Sequence, residues 1–191
     1  MNAGSFKGAL LSTLVIASII ALAIPILSPS PVHAALTPHD PIYIVGNDNF
    51  TPANGVNGGG SGTENDPYVI ENWVINASGA NGIQIWNTTA YFIIRNCLVE
   101  NGGVFYDGIR LYIVVNGKIE NCTCDNNYVG ILLNNSDNNI VSSAATSNNE
   151  YGIYVYYSSG NIISVSISTN DIYGIQLDSY SDSNTVTGCD I

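Results

Sequence analysis

Three features of the sequence predict an all-β fold, a right-handed parallel β-helix. A Gly-Ile pair recurs at positions 82, 108, 130, 152 and 174, so that successive repeats are 26, 22, 22 and 22 residues apart. After each pair, apolar and variable residues alternate, which is the pattern of a strand with one buried face. After residue 34 the sequence has no apolar stripe at helical spacing. A repeat of about 22 residues suits one turn of a three-sided solenoid.

The stacking of repeats explains why the chain repeats itself. One unit cannot bury its apolar face alone, whereas coils about 4.8 Å apart pair their strands in parallel and share a continuous core. The crossover rule for parallel strands favours a right-handed coil.

The first 34 residues differ from the rest and are predicted to be a signal peptide. Lys7 gives a weakly positive start, residues 8–24 are apolar and uncharged, and residues 32–34 read Val-His-Ala. We expect cleavage after Ala34. The alternative is an uncleaved membrane anchor, because the apolar run approaches spanning length. In both cases the remaining chain is expected to be secreted or held at the cell surface.

Residues 35–67 are predicted to hold an N-terminal cap strand and a loop. Ile42 to Val45 has the apolar pattern of a strand, which we expect to lie over the open end of the core. Residues 55–67 are rich in Gly, Asn and Ser and are therefore assigned as loop.

Residues 68–191 are predicted to be the β-helix itself. The inward columns comprise Ile83, Ile109, Ile131, Ile153 and Ile175, followed two residues later by Ile85, Leu111, Leu133, Val155 and Leu177. Turn columns of asparagine comprise Asn101, Asn126, Asn148 and Asn170, and also Asn139, Asn161 and Asn184. Asparagine tolerates left-handed backbone and can form stacked amide ladders. The sequence stops within a coil, so we expect either a fragment of a longer array, which is the simpler interpretation, or an end that another subunit covers.

Charge restricts the partners. The chain has 15 acidic and 4 basic residues, a net charge of −11 and a pI near 4.1. Such a surface repels nucleic acid and anionic lipid, so we expect no nucleic-acid partner and no membrane contact beyond an uncleaved N-terminal segment. Opposite charges follow each other on three successive coils at Glu71, Arg95 and Glu120, and we expect Arg95 to pair with both neighbours.

Two stretches resemble a known family. The unit GILLNNSDNNI at residues 130–140 and the stretch GSGTENDPYVIENWVI at residues 60–75 resemble NosD-like right-handed β-helix proteins. These belong to a broader group of carbohydrate-binding and sugar-hydrolase β-helices, and similar domains occur in exported microbial surface proteins. The resemblance covers roughly residues 68–191 with the loop in front. Its motif residues are turn and core positions, so it implies a fold rather than an activity.

A resident metal is not predicted. The NosD-like resemblance implies copper delivery, yet after residue 34 the chain has no Met and its one His is His39. Calcium, held by oxygen atoms of the Asn- and Asp-rich turns at residues 135–139 and 178–184, stays open beside local turn hydrogen bonding. Cys97 and Cys122 fall on adjacent coils, either as small core residues or as one disulfide.

No catalytic residue is predicted. Lyases of this fold resemble one another in an Arg or Lys base beside an Asp cluster, and glycosidases need paired carboxylates. The sequence offers Arg110 near Asp107, which is more typical of a surface ion pair. The protein is therefore interpreted as a non-catalytic scaffold. Two alternatives remain, namely a polysaccharide-active enzyme whose catalytic residues lie partly outside this chain, and a purely structural surface-layer element.

The candidate binding residues lie on the outward side of the strand after each Gly. One outward column comprises Gln84, Arg110, Leu132, Tyr154 and Gln176, and the next comprises Trp86, Tyr112, Asn134, Tyr156 and Asp178. We expect Trp86, Tyr112, Tyr154 and Tyr156, with Arg110, to form a platform for a polysaccharide or a surface protein. The alternative is that aromatic residues simply favour strands.

Overall fold

The computed structural model describes residues 35–191. The predicted signal peptide, residues 1–34, lies outside them. Within the described range no helix has the length and apolar content needed to cross a membrane. Helical residues in this range form two short 3-10 turns, Asn47–Asn49 and Pro52–Asn54.

Three parallel sheets of six strands each form the solenoid, and the chain visits them in the same order in each coil. Sheet 1 consists of β1 (Thr37–His39), β4 (Trp73–Asn76), β7 (Leu98–Glu100), β10 (Thr123–Asp125), β13 (Ala145–Ser147) and β16 (Ile167–Thr169). Sheet 2 consists of β2 (Ile42–Val45), β5 (Ile83–Thr88), β8 (Ile109–Val114), β11 (Val129–Asn134), β14 (Tyr151–Tyr156) and β17 (Tyr173–Leu177). Sheet 3 consists of β3 (Tyr68–Glu71), β6 (Phe92–Arg95), β9 (Gly117–Glu120), β12 (Ile140–Ser142), β15 (Ile162–Ser164) and β18 (Thr185–Thr187). The predicted all-β, three-sided parallel solenoid is confirmed.

The register of sheet 2 confirms both predicted apolar columns. Ile131 pairs with Ile109 on one side and with Ile153 on the other, and Leu133 pairs with Leu111 and Val155. These side chains are buried and belong to one continuous core cluster. Burial of the inward apolar columns of the sheets is what holds the coils together.

Close approach of the coils explains the repeated glycine. A Cβ atom on Gly130 would lie 2.6 Å from the carbonyl oxygen of Gly152 in the next coil, and one on Gly108 would lie 2.6 Å from that of Gly130. Any other residue would push the strands of sheet 2 apart at this corner. The glycine therefore repeats with the period of the coil.

The asparagine columns divide into two structural roles. Asn126, Asn148 and Asn170 have φ values of 54°, 56° and 58° and so supply left-handed backbone at the corner after sheet 1. Asn139 and Asn161 instead form a buried ladder, because the backbone N–H of Asn139 donates to Oδ1 of Asn161 at 2.8 Å. The N–H of Asn161 in turn donates to Oδ1 of Asn184 at 2.8 Å. Each side-chain amide oxygen thus accepts a hydrogen bond from a buried backbone N–H of the preceding coil.

A second ladder was not predicted. The backbone N–H of Asn127 donates to Oδ1 of Asn149 at 2.8 Å, and that of Asn149 donates to Oδ1 of Asp171 at 2.7 Å. Asp171 also accepts hydrogen bonds from the hydroxyls of Thr146 and Ser168. The carboxylate therefore serves as the outermost member of a structural column.

The N-terminal end differs from the expected arrangement. Strand β2 is present, but it pairs in parallel with β5 through Ile42 and Ile83, so that it forms the first rung of sheet 2 rather than a lid. The core is instead covered by residues 50–56. Phe50 stacks on Tyr68 with ring centroids 4.7 Å apart, and Nε1 of Trp73 donates to the carbonyl of Gly55 at 2.9 Å.

The ion pairs of sheet 3 are distributed differently from the prediction. Arg95 Nε lies 2.6 Å from Glu71 Oε2, whereas Glu120 pairs with Lys118 on its own strand. The expectation that Arg95 pairs with both neighbours is therefore wrong. Lys118 and Glu120 are two residues apart on β9, so their side chains lie on the same face of the strand and form the ion pair.

Candidate functional site

The outward face of sheet 2 carries the predicted aromatic residues. In one outward column Arg110 pairs in register with Gln84 and Leu132, and in the other Trp86 pairs with Tyr112. Tyr154 and Tyr156 continue these two columns two coils further on. The columns are set by strand alternation, because each inward Ile or Leu is followed by an outward residue.

Trp86, Tyr112 and Arg110 form a first group, which we call the Trp86 patch. The rings of Trp86 and Tyr112 have centroids 5.6 Å apart and are tilted by 59°. The guanidinium carbon of Arg110 lies 5.9 Å from the centroid of Tyr112, within cation–π range. Trp86 is exposed, and Tyr112 and Arg110 are half-buried. The patch thus offers an apolar ring surface beside a fixed positive charge.

Asp107 holds Arg110 from below the surface. Arg110 Nη1 lies 3.3 Å from Asp107 Oδ2, and the carboxylate itself is buried. Burial raises the pKa of Asp107 to about 6, against the opposing effects of the Arg110 charge and the backbone N–H of Val129. Arg110 Nε is buried and has no hydrogen-bond partner among residues 35–191. The pair orients the guanidinium toward the ring of Tyr112.

Tyr154 and Tyr156 belong to a second group. Their ring centroids are 5.9 Å apart, and the hydroxyl of Tyr154 donates to Asp178 Oδ2 at 2.9 Å. Burial, followed by the hydrogen bond to Asp178, raises the pKa of Tyr154 to about 12. The backbone N–H of Ser179 and then the Tyr154 hydroxyl lower the pKa of Asp178. The tyrosine is therefore a neutral donor whose ring is fixed by its carboxylate partner.

The second group is larger than the sequence indicated. Seven tyrosines make a chain of ring contacts that we call the tyrosine cluster: Tyr128, Tyr151, Tyr154, Tyr156, Tyr157, Tyr173 and Tyr180. Tyr151 stacks on both Tyr154 and Tyr173, with centroids 5.0 Å and 4.9 Å apart. Tyr157 stacks on Tyr180 at 5.1 Å. The stack of Tyr151 on Tyr173 could have been predicted from the sequence, because Tyr-Gly recurs at residues 151 and 173 with the period of the coil.

The two groups are not one row of rings. The register positions between them hold Leu132 and Asn134 on β11. Leu132 is buried although it belongs to an outward column. The predicted four-residue platform is therefore divided, because the outward positions of β11 separate Trp86 and Tyr112 from Tyr154 and Tyr156.

An amide-lined groove of about 360 Å³ lies beside the tyrosine cluster. Its lining includes Tyr128 and Glu150, the turn residues Asn126, Asn148 and Asn170, and the apolar side chains of Val104 and Ile172. The left-handed turns expose these asparagines at one position per coil. The groove combines one tyrosine ring and two aliphatic side chains with several amides that can donate and accept hydrogen bonds.

Two carboxylates in the turns considered for calcium accept hydrogen bonds from the protein. Asp137 Oδ1 accepts the backbone N–H of Ser159 at 2.6 Å, and Asp178 accepts hydrogen bonds from Tyr154 and Ser179. Within residues 35–191 no group of three or more His, Cys, Asp or Glu side chains is placed to hold a metal ion.

The comparisons with known proteins concern the fold. Residues 42–191 match the model of a family described as "Right handed beta helix region". No curated protein matches the chain. A crystal structure from Parabacteroides merdae, described as a "putative glycosyl hydrolase", is similar over 64% of this chain and 78% of that chain, with 13% identity and a TM-score of 0.39. A TM-score this low supports no argument about function. The narrower NosD-like resemblance stays a prediction.

Proposed function

This chain belongs to the right-handed β-helix family, and on that fold we propose that it is an exported, non-catalytic module that binds carbohydrate through the outward face of sheet 2. The observation that carries the proposal is the concentration of rings on this one face, namely the Trp86 patch and the tyrosine cluster. Rigid parallel strands hold these rings at fixed spacing, so little conformational entropy is lost when a ligand binds.

The chemistry of the face favours sugars. Tyrosine and tryptophan rings offer large apolar faces with a polar handle, which suits the apolar face and hydroxyl rim of a pyranose ring. The amides of Asn126, Asn148 and Asn170 beside the rings can both donate and accept hydrogen bonds. Since the chain carries a net charge of −11, a neutral glycan is favoured over a polyanionic one.

Export is supported by the sequence of residues 1–34, which has the charged start, apolar run and small-residue end of a signal peptide. A secreted or cell-surface position would bring the outward face of sheet 2 into contact with extracellular polysaccharide. An uncleaved leader would hold the solenoid at the membrane, and binding through sheet 2 would be unchanged.

A polysaccharide-active enzyme is the second candidate, and Asp107 favours it. A carboxylic acid with a pKa of about 6 suits a general acid, although the buried Asp107 carboxylate would have to leave Arg110 and become exposed to meet a glycosidic oxygen. Glycoside cleavage also needs a second carboxylate or a nucleophile. Among residues 35–191, the side-chain hydrogen-bond partner of the Asp107 carboxylate is Arg110. As an enzyme, the chain would depend on further catalytic residues, which we infer to lie partly outside it.

A glycan array probed with the purified protein, with and without calcium, tests the class of ligand. We expect retention of neutral polysaccharide that does not depend on calcium. A polysaccharide that the protein binds on the array is then cast into a native gel. The retardation of the wild-type protein in this gel is compared with that of the double variant Trp86→Ala/Tyr156→Ala. Loss of one ring from each group is expected to weaken binding about thirtyfold, because each ring contributes roughly 1 kcal/mol and the two losses add.

The control is Tyr91→Ala, which removes a tyrosine that lines a groove at sheet 3 instead. This variant should bind as the wild type does, and circular dichroism should show that all three proteins are folded. Equal retention of the wild type and the double variant would remove sheet 2 as the site. Failure to bind any glycan in either condition would favour the structural surface-layer element, and turnover of a bound glycan would favour the enzyme.

A further inference from the structure

Two buried thiols meet at the corner between sheets 3 and 1. The backbone N–H of Thr123 donates to the carbonyl of Cys97 at 2.8 Å, and Thr123 pairs in register with Leu98. Cys122 is therefore the direct neighbour of Cys97 in the next coil. Both side chains are buried. Directly paired residues of neighbouring parallel strands are about 4.8 Å apart, which lies within the range that a disulfide spans.

The two thiols also point the same way. Cys97 Sγ lies 3.4 Å from the carbonyl oxygen of Arg95, and Cys122 Sγ lies 3.5 Å from that of Glu120, which is the equivalent atom of the next coil. Cys97 Sγ also lies 4.0 Å from the carbonyl oxygen of Ile70, and Cys122 Sγ lies 3.6 Å from that of Ile94, again the equivalent atom of the next coil. Neither side chain has to cross the core to reach the other.

We propose that Cys97 and Cys122 form an intercoil disulfide when the protein meets a disulfide donor, and that this bond ties two coils of the solenoid together. The inference does not depend on carbohydrate binding. It assigns a covalent modification to two residues that the proposed function leaves unused.

The stacking makes this pairing specific. Cys124 pairs in register with Val99 and Thr146, so its neighbours on both sides lack a thiol. Cys189 lies beside Ser166, because the N–H of the following Asp190 donates to the Ser166 carbonyl at 3.0 Å. All four cysteines are free in this structure. Among the described residues, Cys97 and Cys122 are therefore the one pair of cysteines that are direct neighbours in adjacent coils.

The reaction is thiol–disulfide exchange. The Cys97 thiolate attacks one sulfur of a donor such as oxidised glutathione, and the donor's other half leaves as a thiolate. The Cys122 thiolate then attacks the Cys97 sulfur of the mixed disulfide, and the second donor thiolate leaves. Two electrons pass to the donor and two protons are released. The adjacent Cys122 thiol lowers the pKa of Cys97, which favours Cys97 as the first nucleophile.

The test oxidises the full chain both folded and during refolding from denaturant, each with excess oxidised glutathione, because a buried pair reacts only when its coils open. Free thiols are then alkylated in denaturant, and the protein is digested and analysed by mass spectrometry. We expect a Cys97–Cys122 crosslink, lighter by two hydrogen atoms, with Cys124 and Cys189 alkylated. The oxidised form should melt about 5–10 °C above the reduced form.

Matched variants separate the pair from its neighbours. Cys124→Ser should keep both the crosslink and the difference in melting temperature, whereas Cys122→Ser should lose both. Four alkylated cysteines after refolding with the donor would overturn the proposal, as would a crosslink that involves Cys124 or Cys189.

Discussion

At the scale of single residues, the sequence identifies inward positions better than it identifies chemistry. The alternation after each Gly places Ile131 and Ile153 in the core, as the structure has them. Asp107 was interpreted as half of a surface ion pair, yet its carboxylate is buried. The chain just before it turns back on itself, since the N–H of Tyr106 donates to the carbonyl of Gly102 at 3.2 Å. Such burial depends on tertiary packing that spacing alone does not reveal.

Asp107→Asn should change how stability depends on pH. The folded-state pKa of about 6 lies above the ordinary value of 3.8, so the folded protein binds more protons than the unfolded chain between these values. The stabilising contribution of Asp107 is therefore fully present below pH 3.8 and is lost as the pH rises through 6. Urea unfolding should show the wild type losing about 1–3 kcal/mol relative to the variant across this interval.

Asp178→Asn is the control of opposite sign. The pKa of Asp178 is lowered by its hydrogen bonds, so its contribution is present above pH 3.8 and is lost as the pH falls below that value. A wild-type minus Asp107→Asn difference that stays flat between pH 4 and pH 6 would contradict the assigned burial of Asp107.

At the scale of strands and turns, the repeat explains nearly every element. Strands recur because inward apolar residues must lie above one another. Glycine recurs at the start of the sheet 2 strands because, as at Gly130, the carbonyl of the next coil's glycine leaves no room for a Cβ atom. Asparagine recurs for two separate reasons, the left-handed corner at Asn148 and the buried ladder at Asn161. The sequence gives the column but does not separate these roles, because both are met by the same residue type.

Ile153→Asn tests the element scale by placing an amide in the central apolar column. Ile153 is 1% exposed and lies between Ile131 and Ile175. We expect a loss of about 3–5 kcal/mol in the free energy of unfolding, because buried apolar contact is lost and an amide is desolvated.

Ile162→Asn is the matched control, since Ile162 is 43% exposed on the outward side of sheet 3. It should cost about 1 kcal/mol or less. Similar melting temperatures for the two variants would mean that the assigned faces of the strands are wrong.

At the scale of the whole molecule, the repeated coils could be predicted from the sequence, whereas features that occur in one coil alone could not. The three-sided solenoid follows from periodic contacts, so a short stretch of sequence specifies the whole array. The cover formed by residues 50–56 has no counterpart in other coils, so no periodic pattern in the sequence could indicate it. The same holds for two members of the tyrosine cluster, because Tyr157 and Tyr180 lie in turns with φ values of 48° and 55° that only the folded backbone reveals.

Phe50→Ala tests whether the coils open independently from the ends. Phe50 stacks on Tyr68 and lies 5.4 Å from the centroid of Phe92, so its removal uncovers the first coils. In a solenoid each coil contacts its neighbours alone, and local opening should spread from a weakened end. Amide hydrogen exchange in β2 and β3 should therefore accelerate in the variant, while β11 keeps its protection.

The control is Phe105→Ala, because Phe105 is 80% exposed and covers no core. It should leave exchange unchanged throughout. Strand β17 supplies an internal standard, since its inward Leu177 is 41% exposed in the wild type and its amides should already exchange quickly. If Phe50→Ala accelerates exchange in β11 as much as in β2, the solenoid opens as one cooperative unit, and stability would then belong to the whole stack rather than to each coil and its two neighbours.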